Sequence, residues 1–452
     1  MLWRGLYRSA VGLGAPLLSV YLKRRLARGK EDPKRFAERR GLASAARPEG
    51  PLVWIHAASN GEAMSAQPLM ERLAARDPAG AILLTTGTVT SARLMASRLP
   101  PGALHQFAPV DRTAWVERFL AHWRPDVGVW LESELWPNLL WQMRDSGRPT
   151  ALVNGRISTR SFERWRRTPG LARDLIGGFD LCLAQTPAEA DRLRALGAAD
   201  ADCVGNLKFS APPLPIDPDL LAALRHAVAG RPVWLAASTH PGEEEIVADA
   251  HARLAPDHPD LLTVIAPRHP VRGGAVAEAL RSEGFRVARR SETPTPPADA
   301  EIYLADTLGE LGLFYSLVDA AVIGGSLIRG PGGHNPVEAV QLGAVPLLGP
   351  DMSNFETVAA ELRAAGGALG VVDAGEIANA VSRLLAAPAE RAAIANAGGQ
   401  VAARNRDVVA RVMARLEPLL PAPAAPVPSE PAPSGSASPA PAPPREAAGG
   451  AR

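Results

Sequence analysis

The sequence predicts an α/β protein built from two doubly wound domains, each a parallel sheet covered by helices on both faces. Three observations carry that reading. At 452 residues the chain is too long for one compact core, and two domains of ~150–200 residues are the natural division. From residue 50 onward, short continuous apolar runs alternate with amphipathic stretches, the pattern of buried parallel strands and their crossover helices. The alternation stops at FSAPPLPIDPD (209–219), where four prolines end helix and strand alike, and then restarts.

In chain order, residues 1–30 (MLWRGLYRSAVGLGAPLLSVYLKRRLARGK) come first and are expected to be helical. Their apolar stretch, 10–22, falls short of the ~20 residues that span a bilayer. The basic cluster Lys23, Arg24, Arg25, Arg28 and Lys30 follows it, the reverse of a secretory signal. Residues 1–50 hold twelve Lys/Arg against four Asp/Glu. Together these predict a helix lying in an anionic membrane surface, with packing on the protein's own core as the alternative. A first domain is expected over 31–208, with strands in PLVWIHA, GAILLTTG, DVGVWLE, TALVNGR and FDLCLAQ. The 209–219 linker follows. A second domain, 220–418, carries strands in PVWLAAS, LLTVIAP, FRVARR, EIYLAD, DAAVIGG and AVPLLG. Residues 419–452, rich in Pro and Ala, cannot bury a core and are read as a disordered tail.

Composition narrows the function. A net charge of +2 implies no polyanionic partner, so nucleic acid is not expected. Cys182 and Cys203 lack disulfide or zinc spacing and read as buried thiols in a reducing compartment. There is no Walker A sequence and no GxGxxG behind a strand, which removes support for ATPase and simple dinucleotide readings.

Polar and glycine residues gather just after the strands, where an α/β scaffold varies its chemistry. In the first half Glu62, Glu132 and Glu134 follow separate strands and are joined by Asn154, Arg156 and Lys208. That set suits a polar acceptor and one general base. Glu62 opens a helix, so it is either a dipole-complementing cap or that base; position alone does not decide. Glu134 could likewise cap a helix that has Trp136 and Trp141 as core. In the second half LLTVIAPRHP empties onto Arg268 and His269, and a guanidinium there can hold a phosphate through paired hydrogen bonds. VIGGSLIRGPGGHNPVEAV runs from a strand through Gly325 and Ser326 to a helix expected near Pro336. Its glycines and helix start suit an anion, and Glu338 can accept hydrogen bonds from a ribose diol.

Ten motifs then fall in a recognisable order: RFAERRG, HAASNGE, TTGT, ESELWPN, NGRIS, GNLKF, ASTHPGEEE, APRHP, GGS and GGHNPVE. In these the chain resembles the bacterial 3-deoxy-D-manno-octulosonic acid (Kdo) transferases of lipid A assembly, from the N-terminal helix to about residue 418. The resemblance implies a GT-B fold, two Rossmann-like domains facing a central cleft, and an inverting, metal-independent glycosyltransferase without a cofactor. It implies CMP-Kdo as donor and a tetra-acylated lipid A precursor (lipid IVA) as acceptor, used at the cytoplasmic side of an inner membrane. By the same resemblance Glu62 is the general base and Glu134 a second active-site carboxylate. Arg268, Ser326, Asn335 and Glu338 match positions that hold CMP, and Lys208 a basic cleft residue. Three departures stand out: Ser210 where Asp is frequent, a loop SLIRGPGGHN one residue longer than usual, and Ala339 in place of a frequent Pro.

Overall fold

The computed structural model describes residues 2–210 and 213–423; two residues of the expected linker, and the expected tail from 424 on, lie outside the described residues. Two parallel seven-stranded sheets form the frame. The first contains β1 (Leu52–His56), β2 (Ala81–Thr86), β3 (Ala103–Phe107), β4 (Val127–Leu131), β5 (Thr150–Gly155), β6 (Leu181–Ala184) and β7 (Ala201–Cys203), in the order β3-β2-β1-β4-β5-β6-β7. The second contains β8 (Val233–Thr239), β9 (Leu262–Pro267), β10 (Val287–Arg289), β11 (Ile302–Leu304), β12 (Ala320–Ile323), β13 (Val345–Leu348) and β14 (Leu369–Gly370), in the order β10-β11-β9-β8-β12-β13-β14.

The continuous apolar runs are explained by two-sided burial. Along β1, Leu52 and Trp54 join the cluster on one face, while Val53 and Ile55 join the cluster on the other. Trp54 and Trp130 meet edge to face at 4.8 Å, and a Cβ on Gly128 would lie 2.5 Å from the Trp130 ring, so the glycine makes room for that pair. Strand order reverses between β1 and β4 and between β8 and β12. Loops at such switch points diverge and leave a crevice, so each sheet opens one toward the cleft.

The structure refines the expected organisation at four points. β3, β7 and β14 were not legible in the sequence. All lie at or next to a sheet edge, and β3 and β7 are only partly buried, so ALHQF and ADC carry no continuous apolar signature. The chain crosses between domains at Lys208: Leu207 packs in the first domain's core, Phe209 and Leu214 in the second's. Phe209 and Leu214 therefore dock the start of the linker, while Pro213 and residues 215–219 are exposed. The helix Val408–Leu416, assigned from sequence to the second domain, returns to the first, where Val408, Val409, Val412 and Leu416 cover the face bearing Leu69, Leu73 and Val127. Finally, the N-terminal segment is two helices, Leu2–Leu13 and Ala15–Ala27, broken at Gly14 with a proline opening the second.

These two helices are docked on the first domain by specific contacts. Arg4 pairs with Asp145 (2.8 Å) and Asp174 (3.3 Å) and lies over the Trp141 ring; the Tyr7 hydroxyl donates to Asp111 at 2.9 Å; Leu22 is buried. The opposite face leaves Leu13 84% and Leu17 76% exposed, with Leu6, Val20 and Tyr21 more than half or nearly half exposed. No helix among the described residues is long and apolar enough to cross a membrane.

Candidate active site

Glu62 sits at the β1 switch point, in the first turn of the helix Asn60–Arg76. Ser59 and Glu62 form a capping box: Ser59 Oγ accepts from Glu62 N (3.3 Å) and donates to Glu62 Oε1 (2.8 Å), and Ala58 N donates to Glu62 Oε2 (2.8 Å). Burial raises the Glu62 carboxyl to about 7, with Glu132 and Glu134 nearby adding to the rise and the Ser59 and Ala58 hydrogen bonds opposing it. The cap and the candidate base are thus the same group: capping orients the carboxylate, and burial gives it a basicity an exposed cap lacks.

The residues around it are held in unusual backbone. Glu132 (φ 56°) and Asn154 (φ 57°) both occupy the left-handed region at the ends of β4 and β5, and Ser238 (φ 60°) does so on β8. Three such non-glycine residues bordering one cleft is the distribution expected where function over-determines the chain. Lys208 Nζ pairs with Glu132 at 3.0 Å. Asn154 is buried, its Oδ1 accepting from Leu207 N at 2.9 Å, so it shapes the crossover rather than facing solvent. Glu134 accepts from the Trp136 indole at 2.7 Å and caps nothing: the helix Pro137–Asp145 begins beyond it and is capped by Asp111, which receives Asn138 N and Leu139 N. Trp141 is core as expected, whereas Trp136 is 45% exposed.

In the second domain the organising residue is one the sequence reading did not single out. Glu243, fully buried, accepts from His240 N (2.9 Å), Gly325 N (2.7 Å) and Leu327 N (2.9 Å), tying the loop after β8 to the loop after β12. Its signal was present in GEEE, but three acidic residues at a helix start read first as dipole complements. A Cβ on Gly324 would lie 2.3 Å from Ser238 O, so only glycine allows this close approach. Ser326 does not face the cleft. Its side chain is fully buried, bonded to Ile323 O and to Gly349 N, so it braces the loop instead of reaching a ligand. Gly325 takes φ 69° beside the stacked rings of His240 and His334, whose Nε2 atoms are 3.0 Å apart. Burial holds His334 down at about 4.

Pro336 is the cap rather than the first residue of the helix Val337–Gln341. Asn335 Oδ1 accepts Val337 N (3.1 Å), and burial raises Glu338 to about 7 against the lowering effect of its Asn335 bond and of Arg268. Arg268 and His269 are exposed at the end of β9. Arg268 also lines a pocket with Ser238, Pro267, Thr307, Leu308 and Phe314. The DTLGEL side of this pocket was missed from sequence. It is shaped by buried charge: Asp306 holds Arg289 (2.7 Å) and Ser291, and Glu310 holds Arg290 (2.6 Å) and Thr307.

The two halves meet across the cleft. Arg156 pairs with Glu356 (2.6 Å), and Lys208 Nζ donates to Asn354 O (3.3 Å), while Asn354 in turn holds Pro331 O and Gly332 O of the glycine loop. Arg98, lying 3.7 Å from Met64 Sδ on the Glu62 helix, is close enough to act on Glu338. Among the described residues no cluster of three His, Cys, Asp or Glu is placed to hold a metal ion.

Comparison with known proteins agrees with this architecture. A family model described as 3-deoxy-D-manno-octulosonic-acid transferase (kdotransferase) matches residues 34–211. The probable mitochondrial 3-deoxy-D-manno-octulosonic acid transferase of Arabidopsis thaliana is 37% identical over 77% of this chain and 80% of its own length. The 3-deoxy-D-manno-octulosonic acid transferase of Bordetella pertussis is 35% identical over 92% of this chain and 99% of its own. The crystal structure of MurG from Acinetobacter baumannii superposes with a TM-score of 0.52 at 11% identity, covering 82% of this chain and 100% of that one, a likeness of fold alone. Two facing Rossmann-like domains of GT-B type, joined by a carboxylate-bearing crevice and a glycine-lined one, thus carry the sequence of a glycosyltransferase, and the chain belongs to the Kdo transferase family.

Proposed function

We propose that the cleft moves Kdo from CMP-Kdo to a sugar hydroxyl of a tetra-acylated lipid A precursor, lipid IVA, with inversion at the anomeric carbon. The observation that carries this reading is the Glu62 carboxylate, buried at the first sheet's switch point and held there by Ser59 and Ala58. Glu62 takes the proton of the acceptor hydroxyl as its oxygen attacks the anomeric carbon. The C–O bond to the phosphate breaks on the opposite face and CMP leaves with the electron pair. Arg268 and the backbone N–H groups of the glycine loop meet the charge that grows on the phosphate, the preorganised electrostatics that lowers barriers most. Glu338 takes the ribose hydroxyls, and the pocket between Arg268 and Thr307 takes the base. Lys208, with Glu132, borders the acceptor side, and Glu134 stands beside it. The reaction as proposed uses no metal and no cofactor.

The acceptor is a lipid, so the first domain docks on the cytoplasmic face of the inner membrane. What supports this is the apolar face of the N-terminal helices, with Leu13 and Leu17 outermost, flanked by Lys23, Arg24 and Arg28. Incubation with CMP-Kdo and lipid IVA, followed by mass spectrometry, tests the assignment: the expected product is lipid IVA heavier by whole Kdo residues. An unmodified acceptor, or a larger thermal shift with UDP than with CMP, overturns it.

A further inference from the structure

The motif RFAERRG lies outside the cleft, yet it holds a charged pair removed from water. Glu31 is buried and accepts from Arg39 Nε (2.8 Å) and from Arg25 Nε (2.6 Å), Arg25 belonging to the helix Ala15–Ala27. Arg39, also buried, lies over the Phe107 ring and donates to Ala108 O (3.1 Å) and to Gly87 O. Gly87 N in turn donates to Ala58 O (3.0 Å), and Ala58 N donates to Glu62 Oε2 (2.8 Å). A Cβ on Gly87 would lie 2.9 Å from Ala58 O, so these two backbone segments are in direct contact. A buried ion pair is poor evidence for stability, since apolar residues of like volume commonly do as well. Here its geometric product is specific: it holds Gly87 by its carbonyl, Gly87 holds Ala58 through its N–H, and the Ala58 N–H binds one oxygen of the Glu62 carboxylate.

We propose that Arg39 is a positioning residue for Glu62, acting through the Gly87 and Ala58 backbone, and that Glu31 links it to the N-terminal basic helix. For activity this rests on Glu62 being the general base; for geometry it does not. Three motifs far apart in sequence, RFAERRG, TTGT and HAASNGE, are then one hydrogen-bonded chain ending on a carboxylate. The other charges facing Glu62 are Glu132 and Glu134 behind β4, with Lys208 on Glu132; His56 on β1 is held neutral by burial, at about 4. Arg39 helps burial to hold His56 neutral, so removing its charge raises the His56 value as well; Glu132, Glu134 and Lys208 are left unaltered by the variants below.

The test reads Glu62 directly, by 13C NMR titration of selectively labelled glutamate carboxyls, with Glu62→Gln identifying its signal. Arg39→Lys keeps the charge but loses the fork of donors. Glu31→Gln/Arg39→Met removes both charges together and leaves none buried alone, which protects the fold. In folded protein both are expected to raise the Glu62 midpoint by roughly half to one pH unit, as for a carboxylate losing one hydrogen bond. The acid limb of kcat should move with it, kcat at pH 7 should fall about two- to fivefold as the ionised fraction drops, and KM for CMP-Kdo should not change. Arg25→Ala should move the midpoint the same way by less. A midpoint unmoved in folded Arg39→Lys and in the double variant overturns the positioning role, and one unmoved in Arg25→Ala overturns the link to the helix. Should Glu62→Gln retain transfer, the base assignment fails while the NMR midpoints still decide the positioning.

Discussion

Glu62 meets two demands that usually conflict, since a cap wants an ionised carboxylate and burial disfavours one. The compromise sets the pH dependence. A base must be ionised to act, so kcat should fall about tenfold per pH unit below about 7. Glu62→Gln should lower kcat by ~10²–10⁴ with CMP affinity unchanged in calorimetry. The same substitution should stabilise the protein. Because the folded carboxyl is raised above its ordinary value of 4.5, its stabilising contribution is complete below that value and is lost as pH rises through about 7. Above pH 7 the ionised, buried group costs on the order of 2–3 kcal/mol, so Glu62→Gln should melt higher than the parent at pH 8, the difference shrinking toward pH 5. Arg268→Ala should raise KM for CMP-Kdo, and not for acceptor, by roughly 10–100-fold, the loss of one charge-assisted phosphate bond. Residues of this kind were legible because each follows a strand. Glu243, Arg39 and Asp306 were not, since a buried charge is recognised by the partners that fold around it, and those partners are distant in sequence. Ser326 shows the converse: its motif was legible, but the direction of its hydroxyl depended on Gly349.

At the scale of elements, apolar runs found the central strands but, of the edge ones, only β10 in FRVARR, because an edge strand is shielded on fewer sides and needs fewer apolar residues. The N-terminal segment gave a mixed outcome for a related reason. Its composition suits both a bilayer and a protein surface, and the structure shows one face docked through Arg4, Tyr7 and Leu22 with the other left open. Substitutions can separate the two faces. Leu13→Glu/Leu17→Glu should leave Tm within a degree or two yet abolish co-sedimentation with anionic vesicles, both residues being exposed. Tyr7→Phe should leave vesicle binding intact and cost ~1 kcal/mol, the price of one buried hydrogen bond to Asp111. Deleting residues 1–30 mixes the effects, because it also uncovers Trp141 and takes the Tyr7 donor from Asp111, leaving it Asn138 N and Leu139 N.

For the molecule as a whole, two switch points facing each other explain why the chemistry is divided: the proposed base lies on one sheet and the proposed anion loop on the other. The Arg156–Glu356 pair spans them with Glu356 two-thirds exposed, so it adds little to stability. Glu356→Ala should leave Tm unchanged and alter the approach of the domains, which the distance between spin labels on each would report. The returning helix Val408–Leu416 has a consequence in time rather than in space. The first half of the protein is completed by residues made only after the second sheet, so while the second half is translated, the surface of Leu69, Leu73 and Val127 waits uncovered. Contacts this remote in sequence are slow to form, and nascent chains that expose such surface are prone to aggregate. Residues 1–208 expressed alone should therefore be insoluble, and co-expression of a segment covering 406–423 should restore soluble protein, as a missing last piece supplied in trans.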